Sequence, residues 1–394
     1  MPTSIAQGAY TPINHNEMKA VWISYLELAN SYAGYSAAPL LKGRTANDFR
    51  VQMQGVYENC LSIGINTVFV HVRPFGDALY PSALFPSSYV VTGTAGAALP
   101  FDPLAIMIEE AHKKGISFHA WINPYRAQPV ADAASIAKRA PGSQFAKWYN
   151  DPSKNGDYLV AFGSKYYYNP SVKEVRQLLI SGVEELMLGY KVDGIHIDDY
   201  FYPSGIGTDF DAAAYFRYIQ DGGTLSLADF RRDSNNQTVS GIYKKIKSIN
   251  NRVLFSVSPS GNLSYNYNTM YTDVKLWLKT EGYLDVIIPQ VYYGFQNAAL
   301  PYSECIETWN SLITVTSIKL VFGLAAYKVG NSDKYAGAGA NEWIENAGFM
   351  LNPQISEAKK QSWYSGYALF DYKSLFFPAP GKVLMIQQEL SSLL

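Results

Sequence analysis

Apolar residues along this chain follow two patterns in turn. Short, nearly continuous β-branched and aromatic runs, such as "INTVFVHV" (65–72) and "ISFHAWI" (116–122), alternate with stretches whose apolar positions recur every three or four residues, such as "ANDFRVQMQGVYENCLSIG" (46–64). The first pattern predicts strands covered on both faces, the second helices with one buried stripe. Strands are expected at 19–25, 65–72, 116–122, 193–198, 252–258, 284–292, 319–327 and 366–372. Helices are expected at 46–64, 102–115, 169–190, 239–249, 269–282, 302–313, around 341–362 and at 380–394. "DPLAIMIEEAHKKG" (102–115) carries helix punctuation, with an acid and a proline at its start and a glycine at its end.

Eight strands in alternation with eight helices predict an α/β fold, a single (β/α)8 barrel, over residues 17–394 behind an N-terminal extension at 1–16. Its long insertions fall after strand two (73–101), strand three (123–168) and strand four (199–238). An open doubly wound sheet is the alternative, but no GxGxxG turn follows the first strand.

Composition narrows the function classes. Apolar residues make up 48% and charged residues 16% of the 394, enough for a large core. The net charge of -1, with no Lys/Arg block, removes nucleic acid as an expected partner. Apolar stretches such as "LAIMIEEAH" are broken by acids, so no membrane span is expected. "MPTSIAQGAY" lacks the basic and apolar regions of a signal peptide, which leaves a cytosolic protein or an exported one whose leader has been removed. Cys60 and Cys305 lie far apart and give neither a disulfide framework nor a metal motif. Tyrosine is abundant, with 31 residues, and its flat apolar face with a polar tip suits sugars as well as packing.

A barrel of this kind carries its chemistry at the C-terminal strand ends. Strand one runs into Ser24, Tyr25 and Glu27; strand two into His71 and Arg73; strand three into Asn123, Tyr125 and Arg126. Strand four ends in "DGIHIDDYFYP" (193–203), strand six in Gln290, Tyr292 and Tyr293, strand seven in Tyr327 and Lys328, and strand eight in Asp371. Strand alternation puts Ile195 and Ile197 on one face and His196 and Asp198 on the other, so the histidine and the aspartate should point inward. Asp199 follows as the strand ends, either turned into the pocket or capping the next turn. If Arg73, Asn123 and Asp198 point inward, the same parity places His71, His119 and His196 inward two residues deeper. Three histidines on neighbouring strands make a zinc layer conceivable, but a hydrogen-bonded layer orienting the residues above is preferred, and no metal or other cofactor is expected.

The segments "AVWISYLEL", "INTVFVHVRPFGDALYPS", "DPLAIMIEEAHKKGISFHAWINPYR", "NPSVKEVRQLLISGVEEL", "YKVDGIHIDDYFYP" and "LDVIIPQVYY" resemble, in that order, the glycosyl-hydrolase-like family 10 proteins, the DUF187 group. The resemblance spans residues 17 to 394. It implies a (β/α)8 barrel acting on polysaccharide in bacterial, mostly exported or cell-envelope proteins, among them a hydrolase of peptidoglycan glycan strands stripped of their peptides. It carries over Arg73, then Asn123, Tyr125 and Arg126, the Asp198–Asp199 pair, and Gln290 with Tyr292.

The expected reaction is glycoside hydrolysis by paired carboxylates, one protonating the leaving oxygen and the other attacking the anomeric carbon or activating water. Asp198 is the candidate nucleophile or base and Asp199 the candidate acid, with Glu27 and Asp371 competing for the acid's place. Arg73, Asn123, Arg126, His196, Gln290 and Tyr292 are candidates to hold the substrate or the carboxylates, and Tyr125, Tyr200, Tyr202 and Tyr293 to meet sugar rings. Cleavage assisted by a substrate N-acetyl group suits adjacent aspartates too. The alternatives are a carbohydrate-binding barrel without catalysis and a metal-dependent hydrolase built on His71, His119 and His196.

Overall fold

A computed structural model describes residues 10–29 and 38–393. In chain order the strands are β1 (Met18–Ile23), β2 (Thr67–Arg73), β3 (Ser117–Ile122), β4 (Arg126–Pro129), β5 (Leu159–Phe162), β6 (Lys165–Tyr168), β7 (Gly194–Ile197), β8 (Leu254–Val257), β9 (Val286–Ile287), β10 (Lys319–Leu324) and β11 (Tyr364–Leu369). Eight of them close into a parallel barrel in the order β1, β2, β3, β7, β8, β9, β10, β11, with β11 pairing back to β1. A helix follows each barrel strand: Ala46–Ser62, Pro103–Lys113, Lys173–Gly189, Leu227–Ile249, Val274–Lys279, Tyr302–Leu312, Leu351–Ala358 and Val383–Leu393. The fold is the (β/α)8 barrel that the alternation predicts.

Local chemistry explains the element ends. Asp102 caps the helix that starts at Pro103 by accepting from the Ala105 N–H, and proline at the first helical position has no N–H to leave unpaired. The sixth barrel strand is shorter than expected. Only Val286–Ile287 pair as a strand, and beyond Pro289, which lacks an N–H, pairing resumes as isolated bridges at Gln290. The insertion at 123–168 contains its own antiparallel sheet, ordered β4, β6, β5. The fourth barrel helix begins at Leu227 rather than near 239, so much of the expected insertion at 199–238 is helical. The first strand ends at Ile23, and Tyr25–Ala29 form a short helix.

Two packed layers hold the barrel. Outward residues such as Val21, Val70, Phe118, Ile195 and Ile197 are buried against the helices in the larger core. Inward residues form a smaller core of Ala20, Trp22, Phe69, Trp121, Val286, Ile288, Val321 and Ala368. Most strands are thus apolar on both faces, which is why their sequences read as continuous runs, while β7 turns His196 inward.

The N-terminal end of the barrel is crossed by residues 10–16. The Tyr10 hydroxyl and the Ile13 N–H donate to Asp193 Oδ1, while the Phe118 N–H and His112 Nε2 meet Asp193 Oδ2. Asp193 is therefore spent on structure at the end opposite the strand C-termini. Among the described residues no helix is long and apolar enough to cross a membrane.

Candidate active site

β7 sets the site. Gly194, Ile195, His196 and Ile197 alternate, and both isoleucines enter the outer core. His196 turns inward, where its Nε2 accepts from Trp22 Nε1–H at 3.0 Å. Its Nδ1 therefore carries the proton and donates to Ser256 Oγ at 2.8 Å. Gly194 makes room beneath: a Cβ there would stand 2.2 Å from His119 Nδ1. The His119 ring, in turn, packs edge-on against Phe69, which stacks on His196. This layer fixes the strand end that carries Asp198.

Asp198 lies inward at the next position and is buried. Trp121 Nε1–H, from the adjacent β3, donates to its Oδ2 at 3.1 Å, and the Tyr200 N–H donates to Oδ1 at 3.2 Å. Asp199 is half-buried and faces the same space, beside the Gln290 amide. That space is a cleft of about 370 Å³ to which every barrel strand contributes. Trp22, Trp121 and Phe370 are its aromatic lining from β1, β3 and the end of β11; Ser24, Tyr25 and Leu26 follow β1; His71, Ser258, Gln290 and Tyr327 come from the ends of β2, β8, β9 and β10. Arg126, Tyr200 and Tyr292 complete the lining, so Asp198 and Asp199 are its only carboxylates among the described residues.

Burial governs the charges. It pushes Asp198 up to about 8, helped by the charge of Asp199 and opposed by the Tyr200 N–H, Arg126 and Trp121. Asp199 is raised for the same first reason, with Gln290 and Arg126 opposing. Adjacent carboxylates that resist double ionisation share a proton near neutral pH. Both groups that contact Asp198 are N–H donors, which favour its anion, as the Gln290 amide does for Asp199. Arg126 places its guanidinium 3.6 Å from the Tyr200 ring centroid, as a cation–π contact. The Tyr292 hydroxyl is held well above its usual range by burial and stays a neutral donor. His71 is kept neutral by burial. Its Nδ1 accepts from the Tyr25 N–H, which puts its proton on Nε2, facing Asn123 Oδ1 at 3.3 Å.

Of the residues singled out in the sequence, Asp198, Asp199, Arg126, Tyr200, Gln290 and Tyr292 meet at this cleft. Others lie elsewhere. Arg73 does not point inward. His71 pairs with Trp121, but Arg73 pairs with Ile122, so β2 carries one extra residue there and the parity flips. The guanidinium consequently lies over the Phe85 ring at 4.2 Å, against Gly182 of the helix layer. Asn123 sits behind His71 and donates to the Pro74 carbonyl at 2.9 Å. Tyr125 and Tyr202 are fully buried, bonded through their hydroxyls to Thr238 and Ser171, and offer no face to a sugar. Tyr293 turns toward Gly261 and away from the cleft. His196 lies beneath the cleft as a support rather than on its wall.

The two competing acids are also placed outside. Glu27 belongs to the short helix after β1, where its carboxylate accepts from the Ser24 N–H at 2.9 Å and from the Ser24 hydroxyl. Burial, then the charge of Asp371, pushes it up to about 8. Asp371 caps the helix Tyr372–Phe376 by accepting from the Ser374 N–H at 3.0 Å. Neither lines the cleft.

The histidine layer does not converge on a metal position. His196 has both nitrogens engaged, His71 faces Tyr25 and Asn123, and His119 sits deeper against Gly194. Among the described residues no group of three or more His, Cys, Asp or Glu is arranged to hold a metal ion. Trp22, Trp121, Leu26 and Phe370 escaped the sequence reading because apolar side chains inside apolar strands look like packing. The indole N–H of Trp121 is the one signal that pointed further, since a buried tryptophan needs an acceptor.

The chain is 32% identical over 367 residues to glycosyl hydrolase YngK of Bacillus subtilis, covering 89% of this chain and 68% of that protein. It is 33% identical over 336 residues to glycosyl hydrolase DigH of Escherichia coli K12, covering 79% of this chain and 72% of that protein. In fold it is similar to the cyclic α-maltosyl-(1→6)-maltose hydrolase of Arthrobacter globiformis in complex with maltose, with a TM-score of 0.53, 10% identity, and 95% and 82% of the two chains covered. Residues 17–338 match the family described as glycosyl hydrolase-like 10, and the chain belongs to that family.

Proposed function

We propose that this chain is a glycosidase that cleaves an extended polysaccharide at the C-terminal face of its barrel, with peptidoglycan glycan strands as its substrate class. The observation that carries the proposal is the Asp198–Asp199 pair, two proton-sharing carboxylates opening onto an aromatic cleft with no other acid on its walls among the described residues. Asp199, nearer the opening, gives its proton to the glycosidic oxygen as the bond breaks. Asp198, fixed through both oxygens by Trp121 and Tyr200, faces the positive charge that builds at the anomeric centre. Gln290 and Tyr292 present an amide and a hydroxyl toward sugar oxygens, and Tyr200 and Tyr327, both partly exposed, offer ring faces at the rim.

One feature supports a polymer over a small glycoside. The cleft is open to solvent along the rim that carries Tyr200 and Tyr327, so a chain can enter and leave without being enclosed. The names of the relatives at 32–33% identity, both glycosyl hydrolases, support the glycosidase reading itself. Mass spectrometry of products from peptide-free peptidoglycan strands, run beside neutral polysaccharides, tests the proposal. Shortened oligosaccharides from the peptidoglycan strands are expected; products from neutral polysaccharides alone would reassign the substrate, and no products from any would remove the enzyme reading.

A further inference from the structure

Hydrolysis with retention or inversion ordinarily uses two carboxylates that flank the scissile bond from opposite sides. Among the described residues this cleft does not supply that arrangement. Its two carboxylates are neighbours in the chain at one strand end, and the rest of its lining, including the Gln290 amide beside Asp199, holds no carboxylate among the described residues. Glu27 and Asp371, just past the ends of β1 and β11, are turned into their own turn and helix cap.

We infer that the nucleophile comes from the substrate: a 2-acetamido group on the sugar whose glycosidic bond is cut attacks its own anomeric carbon, and Asp198 orients that group. The inference rests on the proposed glycosidase function and deepens it. Asp198 is suited to the role because both its oxygens are already fixed, by the Trp121 and Tyr200 N–H groups, beside the aromatic floor of Trp22 and Trp121. An acetamide placed there meets a carboxylate for its N–H and an apolar surface for its methyl group.

The step balances without any further reactant than water. The acetamide carbonyl oxygen forms a bond to C1 while the C1–O glycosidic bond breaks, and the leaving oxygen takes the proton of Asp199. The positive charge on the resulting five-membered oxazoline ring is met by Asp198, which holds or accepts the amide proton. Asp199, now an anion, takes a proton from water as the water oxygen attacks C1. The bond from C1 to the acetamide oxygen breaks, Asp198 gives the amide proton back to the nitrogen so that the acetamide is restored, and the product keeps the anomeric configuration of the substrate. Asp199 thereby ends protonated and ready for another turn.

The test uses the wild-type chain with peptide-free peptidoglycan strands, the same strands after chemical N-deacetylation, and a thiazoline derived from N-acetylglucosamine as a stable mimic of the ring. The expected results are product retention by proton NMR, a fall of about a hundredfold or more on deacetylated strands, in line with the advantage of an intramolecular nucleophile, and competitive inhibition by the thiazoline. The Asp198→Asn variant should lose that inhibition together with activity. Inverted products, a covalent glycosyl adduct on Asp198 or Asp199 in rapidly quenched intact-protein mass spectra, or equal cleavage of deacetylated strands would overturn the inference while leaving a glycosidase. Failure to cleave acetylated strands at all would instead remove the function on which it rests.

Discussion

Trp121 and Asp198 stand on adjacent barrel strands, and the indole N–H of the first donates to Oδ2 of the second at 3.1 Å. The same indole stacks on His71, with ring centroids 3.2 Å apart. One side chain therefore both fixes the carboxylate and packs the floor of the cleft.

Replacing Trp121 by Phe separates those roles, because a ring remains but the donor is lost. A hydrogen bond to a charged group contributes about 1.5–3 kcal/mol, so kcat/KM on peptide-free strands should fall roughly ten- to a hundredfold. Loss of the donor disfavours the Asp198 anion, so the alkaline limb of the pH profile should also move upward. Steady-state kinetics across pH checks both.

The pH profile of the wild type carries its own prediction. Burial and mutual repulsion keep one proton on the pair up to about pH 8. Above that value the acid form disappears, so kcat/KM should decline as pH rises through about 8. A flat profile from pH 6 to 10 would mean that no shared proton takes part.

Glu27→Gln tests whether a buried acid off the cleft matters to the chemistry. Turnover should stay within about threefold of wild type, since Glu27 holds Ser24 and not substrate. Stability should respond. A carboxyl raised to about 8 in the folded chain binds its proton more tightly than in the unfolded one, so its stabilising contribution is fully present at low pH and fades as pH rises toward 8. The variant's Tm should therefore fall less than that of the wild type between pH 5 and 9, as thermal melts would show.

Much of this was legible in the chain itself, and the exceptions have local causes. Strict alternation in "GIHID" placed His196 and Asp198 inward, and the cleft lies where barrel strands end. Arg73 was misplaced because one extra residue in β2 reverses the facing of everything after it, and a bulge depends on the partner strand rather than on the sequence around it. Glu27 stands off the cleft because the chain turns into a short helix at Tyr25 as β1 ends. Tyr125 and Tyr202 show how little residue type says about exposure: both are tyrosines in site-like motifs, and both are fully buried with satisfied hydroxyls.

That contrast is itself testable. Tyr200 is 41% exposed and faces the cleft, whereas Tyr202 is buried against Ser171. Tyr200→Ala should raise KM about three- to tenfold with a smaller effect on Tm, as expected for the loss of a rim ring and its contact with Arg126. Tyr202→Phe should lower stability by about 1 kcal/mol and leave KM unchanged. Paired melts and saturation kinetics would reveal a reversal of these effects.

The most direct measurement is release of reducing ends from peptide-free peptidoglycan strands by the wild type, Asp198→Asn and Asp199→Asn, each first confirmed as folded by circular dichroism. The wild type should release them steadily, and each variant should fall by about a thousandfold or more, as expected when a group acting in the transition state is removed. Unchanged release by a folded Asp198→Asn protein would place the chemistry somewhere other than this pair.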